Sequence, residues 1–231
     1  MSSRTWWGAE VRRYVLWGSS GHAKVLDEAI SRQGGEVFCL FDNSPFANSV
    51  LPGVPLLGGV DAFMSWTGAR PMDQEIFALV AIGGAHGQDR LQLQELLAKH
   101  GLRIAPLIHP LAFVADSAML GPGTQLLAMS VVAAGVHLGA GCIVNHKASI
   151  DHECIIADGV HVAPGATICG CVTVGTNSMI GAGAVVMPRL KIGRDSIIGA
   201  GAVVTRNVPD GVVVMGNPAL VRHHLQSNSD L

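Results

Sequence analysis

The chain has 231 residues, a formal net charge of −2 and no cluster of lysine and arginine, which excludes the electrostatic footprint of a nucleic-acid or acidic-membrane binder. Its hydrophobic share is 49%, yet glycine, proline or charge interrupts the apolar runs before they reach a spanning length, so no membrane insertion is expected. Five cysteines without a CxxC pair fit reduced thiols, and the opening MSSRTWWGAE lacks an apolar leader core, which together point to a cytoplasmic protein.

Residues 1–11 form an N-terminal extension containing Trp6 and Trp7, for which the sequence offers no role. Between 12 and 107, strand and helix patterns alternate. Residues 13–17 (RYVLW) read as a buried strand, 18–24 (GSSGHAK) as a turn, and 25–32 as a helix with Val25, Leu26, Ala29 and Ile30 on one side. Residues 36–41 (EVFCLF) are a second strand ended by DNSP, 76–82 (IFALVAI) a third ended by GGAHG, and 89–100 a leucine-rich helix. Such alternation predicts a small parallel sheet with helices on its faces, a Rossmann-like α/β domain.

Two features of this domain carry chemistry. GSSGH at 18–22 joins a strand to a helix, where backbone N–H groups and the positive helix end face a phosphate, although a tight glycine turn without a ligand has the same look. Asp42, followed by Asn43, ends the second strand, where an acid bonds a ribose hydroxyl in dinucleotide sites; taken alone, an Asp before Asn43 and Pro45 is more often just a turn former.

From Ile108 the pattern changes to a period of six. Steps of six give Val114, Leu120, Leu126, Val132 and so on to Val204, every one Ile, Leu or Val. A mostly small residue lies four places after each, as at Ala118, Ser130, Cys142, Cys154, Ala166 and Ala184. With a strand period of two, the fifth place of one hexad and the first of the next both point inward, and the remaining places turn a corner rich in Gly and Asn. Three such strands close a triangular coil of eighteen residues, and about five stacked coils span roughly 25 Å. Residues 108–209 thus resemble the hexapeptide-repeat, left-handed parallel β-helix proteins, the handedness being taken from that family. A C-terminal segment, 210–231, follows, with a polar tail from Gln226.

The stretch 148–162, ASIDHECIIADGVHV, concentrates titratable groups in this apolar repeat. Ile150, Cys154, Ile156, Val160 and Val162 fall on inward slots. His152 falls near a corner and His161 points outward, and Asp151 and Glu153 flank one imidazole, so a carboxylate can fix its tautomer and stabilise the imidazolium. Against this stands the plain reading of exposed histidines on a β-helix wall. Cys154, two residues from His152, is a conceivable acyl carrier, but the inward slot it shares with Cys142 argues for packing. His137, His146, His152 and His161 raise the question of zinc, as in γ-class carbonic anhydrases; those pair two histidines five residues apart, a spacing this β-helix lacks. A non-catalytic assembly scaffold would explain the repeat but neither DHE nor GSSGH.

A strand, GSSGH, FDN, GVPLLG at 53–58 and AIGG at 81–84, all ahead of a β-helix, resemble the bacterial acyltransferases that N-acetylate nucleotide-linked aminosugars, over nearly the whole chain after Glu10. Sialic acid O-acetyltransferases share the layout, so O-acetylation of a free sugar is the alternative activity. The resemblance implies surface-polysaccharide biosynthesis, with Gly18, Ser19, Ser20, Gly21, His22, Asp42 and Asn43 binding the nucleotide sugar. It implies acetyl-CoA as donor, lying along the β-helix between subunits of a homotrimer, and no metal. The family pattern N-x6-H-E-x7-H is matched at Asn145, His152, Glu153 and His161. There the first His is the general base, the Glu its orienting partner and the second His a contact to acetyl-CoA or acceptor. Gly170 is the candidate oxyanion donor, and Ala182 and Ala200 the candidate pantetheine contacts. A base is needed because an amine attacking a thioester gives a tetrahedral species whose ammonium proton must leave before it collapses back. GNPALVR at 216–222 resembles the family's closing segment, but Leu220 stands where a basic residue is common; a contact to the CoA 3′-phosphate then comes from Arg222, Arg206 or Lys191, or is absent. His146 and Lys147 likewise stand where small residues are common.

Overall fold

A computed structural model describes residues 11–69 and 75–225. The extension with Trp6 and Trp7 lies outside the described residues except for Val11, as does the tail from Gln226. No helix among the described residues is long and apolar enough to cross a membrane.

The first domain runs β1 (Arg13–Trp17), α1 (Gly21–Ser31), β2 (Glu36–Asp42), β3 (Leu56–Gly58), α2 (Gly59–Ala69), β4 (Ile76–Val80) and α3 (Gly87–Lys99). Its four strands are parallel in the order β3-β2-β1-β4. Strand alternation splits the core in two. Tyr14 and Leu16 pack with Ala23, Leu26 and Ile30 of α1, while Val15 and Trp17 pack on the other face with Phe41, Phe63 and Leu97. Two elements, β3 and α2, go beyond the three strands and two helices expected. A three-residue strand is too short to display a period, and Gly, Ser and Thr dilute the apolar side of α2, where Phe63 and Trp66 stack. Helix α1 also begins at Gly21 rather than 25, with Ser20 in an extended N-cap conformation, so His22 sits in the first helical turn.

Beyond residue 106 the chain coils into a three-faced parallel β-helix whose strands are mostly two residues long. Residues eighteen apart stack directly: Ile143 on His161, Ser149 on Thr167, Ile155 on Thr173. The inward column, including Leu126, Val144, Cys154, Ile168, Val186 and Val204, forms one buried core. At the corners from Gly123 to Gly201 the fourth hexad place adopts a left-handed backbone. Glycine fills it at Gly135 and Gly159, but Lys147, Glu153, Cys171, Asn177 and Arg189 hold it at φ 56–61°, a conformation costing about 1–2 kcal/mol for a residue with a Cβ. Stacking does not stop at 209: Val212–Met215 adds a parallel strand next to Ile197–Ile198, and Leu220–His224 edges it antiparallel.

The first domain sits on the eight-stranded face of this prism. Leu107, Leu127 and Ile143 of the β-helix share a core with α1. Arg90 of α3 is 1% exposed and clamps the junction. Its guanidinium donates to Gly141 O (3.1 Å) and Gly159 O (2.6 Å) on the wall, and to Ile82 O (3.2 Å) and Gly84 O (3.3 Å) in the loop after β4. Burial lowers its pKa to about 10, so it remains charged at neutral pH, balanced by carbonyl dipoles. Replacing Arg90 by Leu strands these carbonyls, each worth about 1–3 kcal/mol when buried unsatisfied. The expected outcome is a loss of at least about 2 kcal/mol in chemical denaturation, against no measurable change for exposed Lys24→Ala.

Candidate active site

His152 lies at the corner between the six-stranded and five-stranded faces. It follows the strand Ser149–Ile150, its N–H is taken by Asp151 Oδ1 at 2.7 Å, and its Nδ1 lies 3.2 Å from Glu153 Oε2. A carboxylate accepts only, so Nδ1 carries the proton and Nε2 keeps its lone pair. Gly170, one coil on, lies beneath the ring. A Cβ there would come within 2.7 Å of His152 Cε1 and closer still to Nε2, so only glycine lets the imidazole lie over the wall. The amides of third hexad places turn outward. Those of Ala140, His146, His152 and Arg194 bond side-chain oxygens, whereas those of Gly170, Ala182 and Ala200 meet no acceptor among the described residues. The corner thus combines a fixed lone pair, a carboxylate behind it and an unengaged N–H beside it.

His161 stands elsewhere, on the eight-stranded face, 5% exposed beneath the first domain. Asn145 Oδ1 accepts from His146 N (2.8 Å), which leaves its Nδ2 to donate to His161 Nε2 (3.2 Å); Nδ1–H then donates to Gly84 O (3.2 Å). Burial, with the Arg90 charge nearby, lowers the His161 pKa to about 4, so the ring is neutral with one tautomer set. His22 approaches the same face and does not line the cleft at the ends of β1, β2 and β4. Its Nε2 meets Gln125 Oε1 at 2.7 Å, the Gln125 amide donates to Val80 O at 2.8 Å, and burial lowers its pKa. The residues missed by the sequence reading are Gln125 and Arg90. Gln125 carried a signal, since it interrupts the otherwise mostly apolar outward column Leu107, Ile143, Met179, Ile197 at steps of eighteen; Arg90, in GQDRLQLQ, looked like part of a solvated helix.

A cleft of about 220 Å³ opens at the ends of β1, β2 and β4, lined by Gly18, Ser20, Asp42, Asn43 and Ala81–Gly83, at the topological switch point where doubly wound sheets bind ligands. Gly18, at φ 112°, lets the loop pass against Ala81, whose carbonyl oxygen a Cβ would approach to 2.6 Å. Asp42 spans the loop ends, Oδ2 accepting from Ser19 N (2.7 Å) and Oδ1 from Ser44 N (2.9 Å). Both its turn-forming and its cleft-lining characters are therefore present. Ser19 differs from expectation: it is buried and its hydroxyl donates to Asn48 O (2.7 Å), away from the cleft. Gly21 opens α1 at the surface.

Asn145, Ala182 and Ala200 share one corner, between the eight- and six-stranded faces, rather than the corner of His152 and Gly170. A separate groove of about 660 Å³ runs along the five-stranded face from Ile155, next to the His152 corner, to Lys191, Arg194 and Asn207. Of the three candidate phosphate contacts, Lys191 lines it; Arg206 is on the His152 corner and Arg222 on the terminal antiparallel strand. Cys154 is fully buried, hydrogen-bonded to Cys169 O at 3.1 Å, and burial raises its pKa to about 11; Cys142 is raised to about 12. Neither is an available nucleophile.

Against known proteins, residues 153–187 and 171–206 match the family described as bacterial transferase hexapeptide (six repeats). A GDP-perosamine N-acetyltransferase of Escherichia coli O157:H7 is 32% identical over 219 residues, covering 89% of this chain and 94% of that protein. Two solved structures are similar throughout. The acetyltransferase domain of PglB from Neisseria gonorrhoeae FA1090, in complex with acetyl coenzyme A, has a TM-score of 0.81 and 32% identity, covering 92% of this chain and 100% of the other. PerB from Caulobacter crescentus, in complex with CoA and GDP-perosamine, has a TM-score of 0.82 and 32% identity over 93% and 99%.

The buried neutral imidazoles make stability depend on pH. A histidine whose folded pKa lies below its unfolded value stabilises fully above the unfolded pKa and loses that contribution as pH falls toward the folded one. For His161 the window runs from about pH 6.5 down to about 4, and His22 acts in the same direction. Denaturant titrations across that range should lose up to about 3 kcal/mol, and His161→Asn should flatten the slope.

Proposed function

The chain belongs to the bacterial hexapeptide-repeat acyltransferases that N-acetylate nucleotide-linked aminosugars, and on that premise we propose that His152 is the base by which it moves an acetyl group from acetyl-CoA to the amine of such a sugar. The observation that carries the assignment is the His152 ring itself: Nδ1–H held by Glu153, Nε2 free over Gly170. The amine attacks the thioester carbon, Nε2 takes the ammonium proton, and the Gly170 N–H donates to the developing oxyanion. As the C–S bond breaks, the imidazolium returns the proton to the leaving thiolate, so the products are amide and free CoA. Histidine and enzyme end as they began, with no acyl-enzyme.

A long thioester would lie along the β-helix from the outward Gly170 amide, which has no acceptor among the described residues, into the groove that runs from Ile155 to Lys191 and to Arg194, itself paired with Asp210 (3.3 Å). The unengaged amides of Ala182 and Ala200 stand on another corner and would meet such a thioester from a neighbouring chain. The nucleotide belongs to the cleft of Gly18, Ser20, Asp42 and Asn43, its phosphates facing the start of α1. Asn145 and His161, wedged between wall and first domain, would meet the sugar or the acetyl end from the cleft side.

His152 and this cleft lie on different sides of one prism, so the reading includes a homotrimer in which the corner of one chain faces the first domain of the next. Its support is a band of exposed apolar side chains on the two faces flanking His152: Phe113 and Val131 on one, Met119 and Ile155 on the other. With five free cysteines, the cytoplasm is the proposed location.

The test is acetyl transfer measured over GDP-, UDP- and dTDP-linked 4-aminosugars beside free sialic acid. Transfer to a nucleotide-linked amine is expected; transfer to free sialic acid alone would overturn the reading. His152→Ala should lower turnover by about 10²- to 10⁴-fold while nucleotide-sugar affinity is kept. Gly170→Ala should cost comparably, because its methyl group displaces the imidazole, yet leave the melting temperature nearly unchanged. Glu153→Gly separates chemistry from fold: it relieves a left-handed strain of about 1 kcal/mol, so stability should hold or rise while turnover falls by less than in His152→Ala.

A further inference from the structure

We propose that Cys171 converts the His152–Glu153 pair into a zinc site that switches the base off. Cys171 stacks one coil above Glu153, both on the left-handed corner place, at φ 60° and 56°, so both side chains leave the wall at the same corner. His152 Nδ1 lies 3.2 Å from Glu153 Oε2, Cys171 Sγ lies 3.7 Å from that oxygen and 4.0 Å from Nδ1. Zinc bonds of about 2.0–2.1 Å to N and O and about 2.3 Å to S, at tetrahedral angles, set ligand atoms about 3.3–3.6 Å apart. The three donors are therefore within a few tenths of an ångström of a coordination triangle, and among the described residues they form the one grouping of metal-type donors this close. Thiolate, imidazole and carboxylate together select zinc over magnesium or calcium, and water fills the fourth position.

The consequence follows from proton bookkeeping. Without metal, Nδ1 carries the ring proton and Nε2 the lone pair. Zn²⁺ takes Nδ1, the ring proton passes through solvent to Nε2, and the Cys171 thiol releases one proton on becoming a thiolate. Nε2 is then a donor and cannot accept the amine's proton, while Glu153 no longer supports an imidazolium. No redox step is involved, and a chelator reverses each change. The inhibition rests on His152 being the base; the metal site does not, and the two are read separately.

The experiment uses the full, reduced chain with Zn²⁺ alone as probe, in competition with a chromophoric chelator, and Co²⁺ as spectroscopic stand-in. One metal per chain is expected, with a thiolate-to-cobalt charge-transfer band, and turnover falling with zinc occupancy and returning with EDTA. Cys171→Ser should keep metal-free turnover, abolish the band and require at least about tenfold more zinc for inhibition. Cys171→Gly, which suits the left-handed corner, should do the same. No charge-transfer band in the parent, or both variants inhibited at the parent's zinc concentrations, would overturn the site. A filled site with undiminished turnover would overturn the inhibition.

Discussion

Eighteen residues per coil is the constraint from which the rest of this molecule follows. Because the parallel pairing sets residue n directly against residue n + 18, every outward side chain belongs to a column, with a neighbour on the coil above and the coil below. The inward slots are committed to an apolar core. Chemistry is left with the corners, where amides turn outward and side chains escape the wall. His152 against Gly170 and Glu153 against Cys171 are consequences of that stacking, one coil apart in each case and in the same direction.

The second requirement is a fixed seat for the first domain. Its helix α1 contributes to a core shared with Leu107, Leu127 and Ile143, and Arg90 reaches through to two coils and to the loop after β4. That loop supplies both the Gly84 carbonyl that sets the His161 tautomer and the Ile82–Gly83 edge of the cleft. One buried guanidinium thus links the wall, the cleft and the second histidine. A buried positive charge without a carboxylate partner among the described residues is tolerable here because four carbonyl oxygens take its N–H groups.

Most of this architecture was legible in the sequence, because a six-residue period with inward aliphatic and small residues has no other economical reading, and because RYVLW and IFALV are apolar enough to declare themselves as buried strands. The DHE corner was legible for a related reason: charge in an apolar repeat must face outward. What escaped was what depends on three-dimensional covering. Nothing local distinguishes Arg90 from an exposed helical arginine, or says that His161 would be roofed by the first domain. Ser19 and His22 were grouped with the cleft by their place in GSSGH, but helix α1 starts inside that motif and turns His22 toward Gln125, while the Asn48 carbonyl draws the Ser19 hydroxyl inward. Cys171 shares a corner with His152 only through the stacking of coils.

The central claim is that the base of one chain serves the nucleotide-sugar cleft of another. Co-expressing His152→Ala with Asp42→Ala chains, each inactive alone, tests it by the acetyl-transfer rate of the mixed protein. The account predicts recovered activity, with about a quarter of the interfaces pairing an intact corner with an intact cleft in random assembly. A mixture as inactive as its two parents would contradict it.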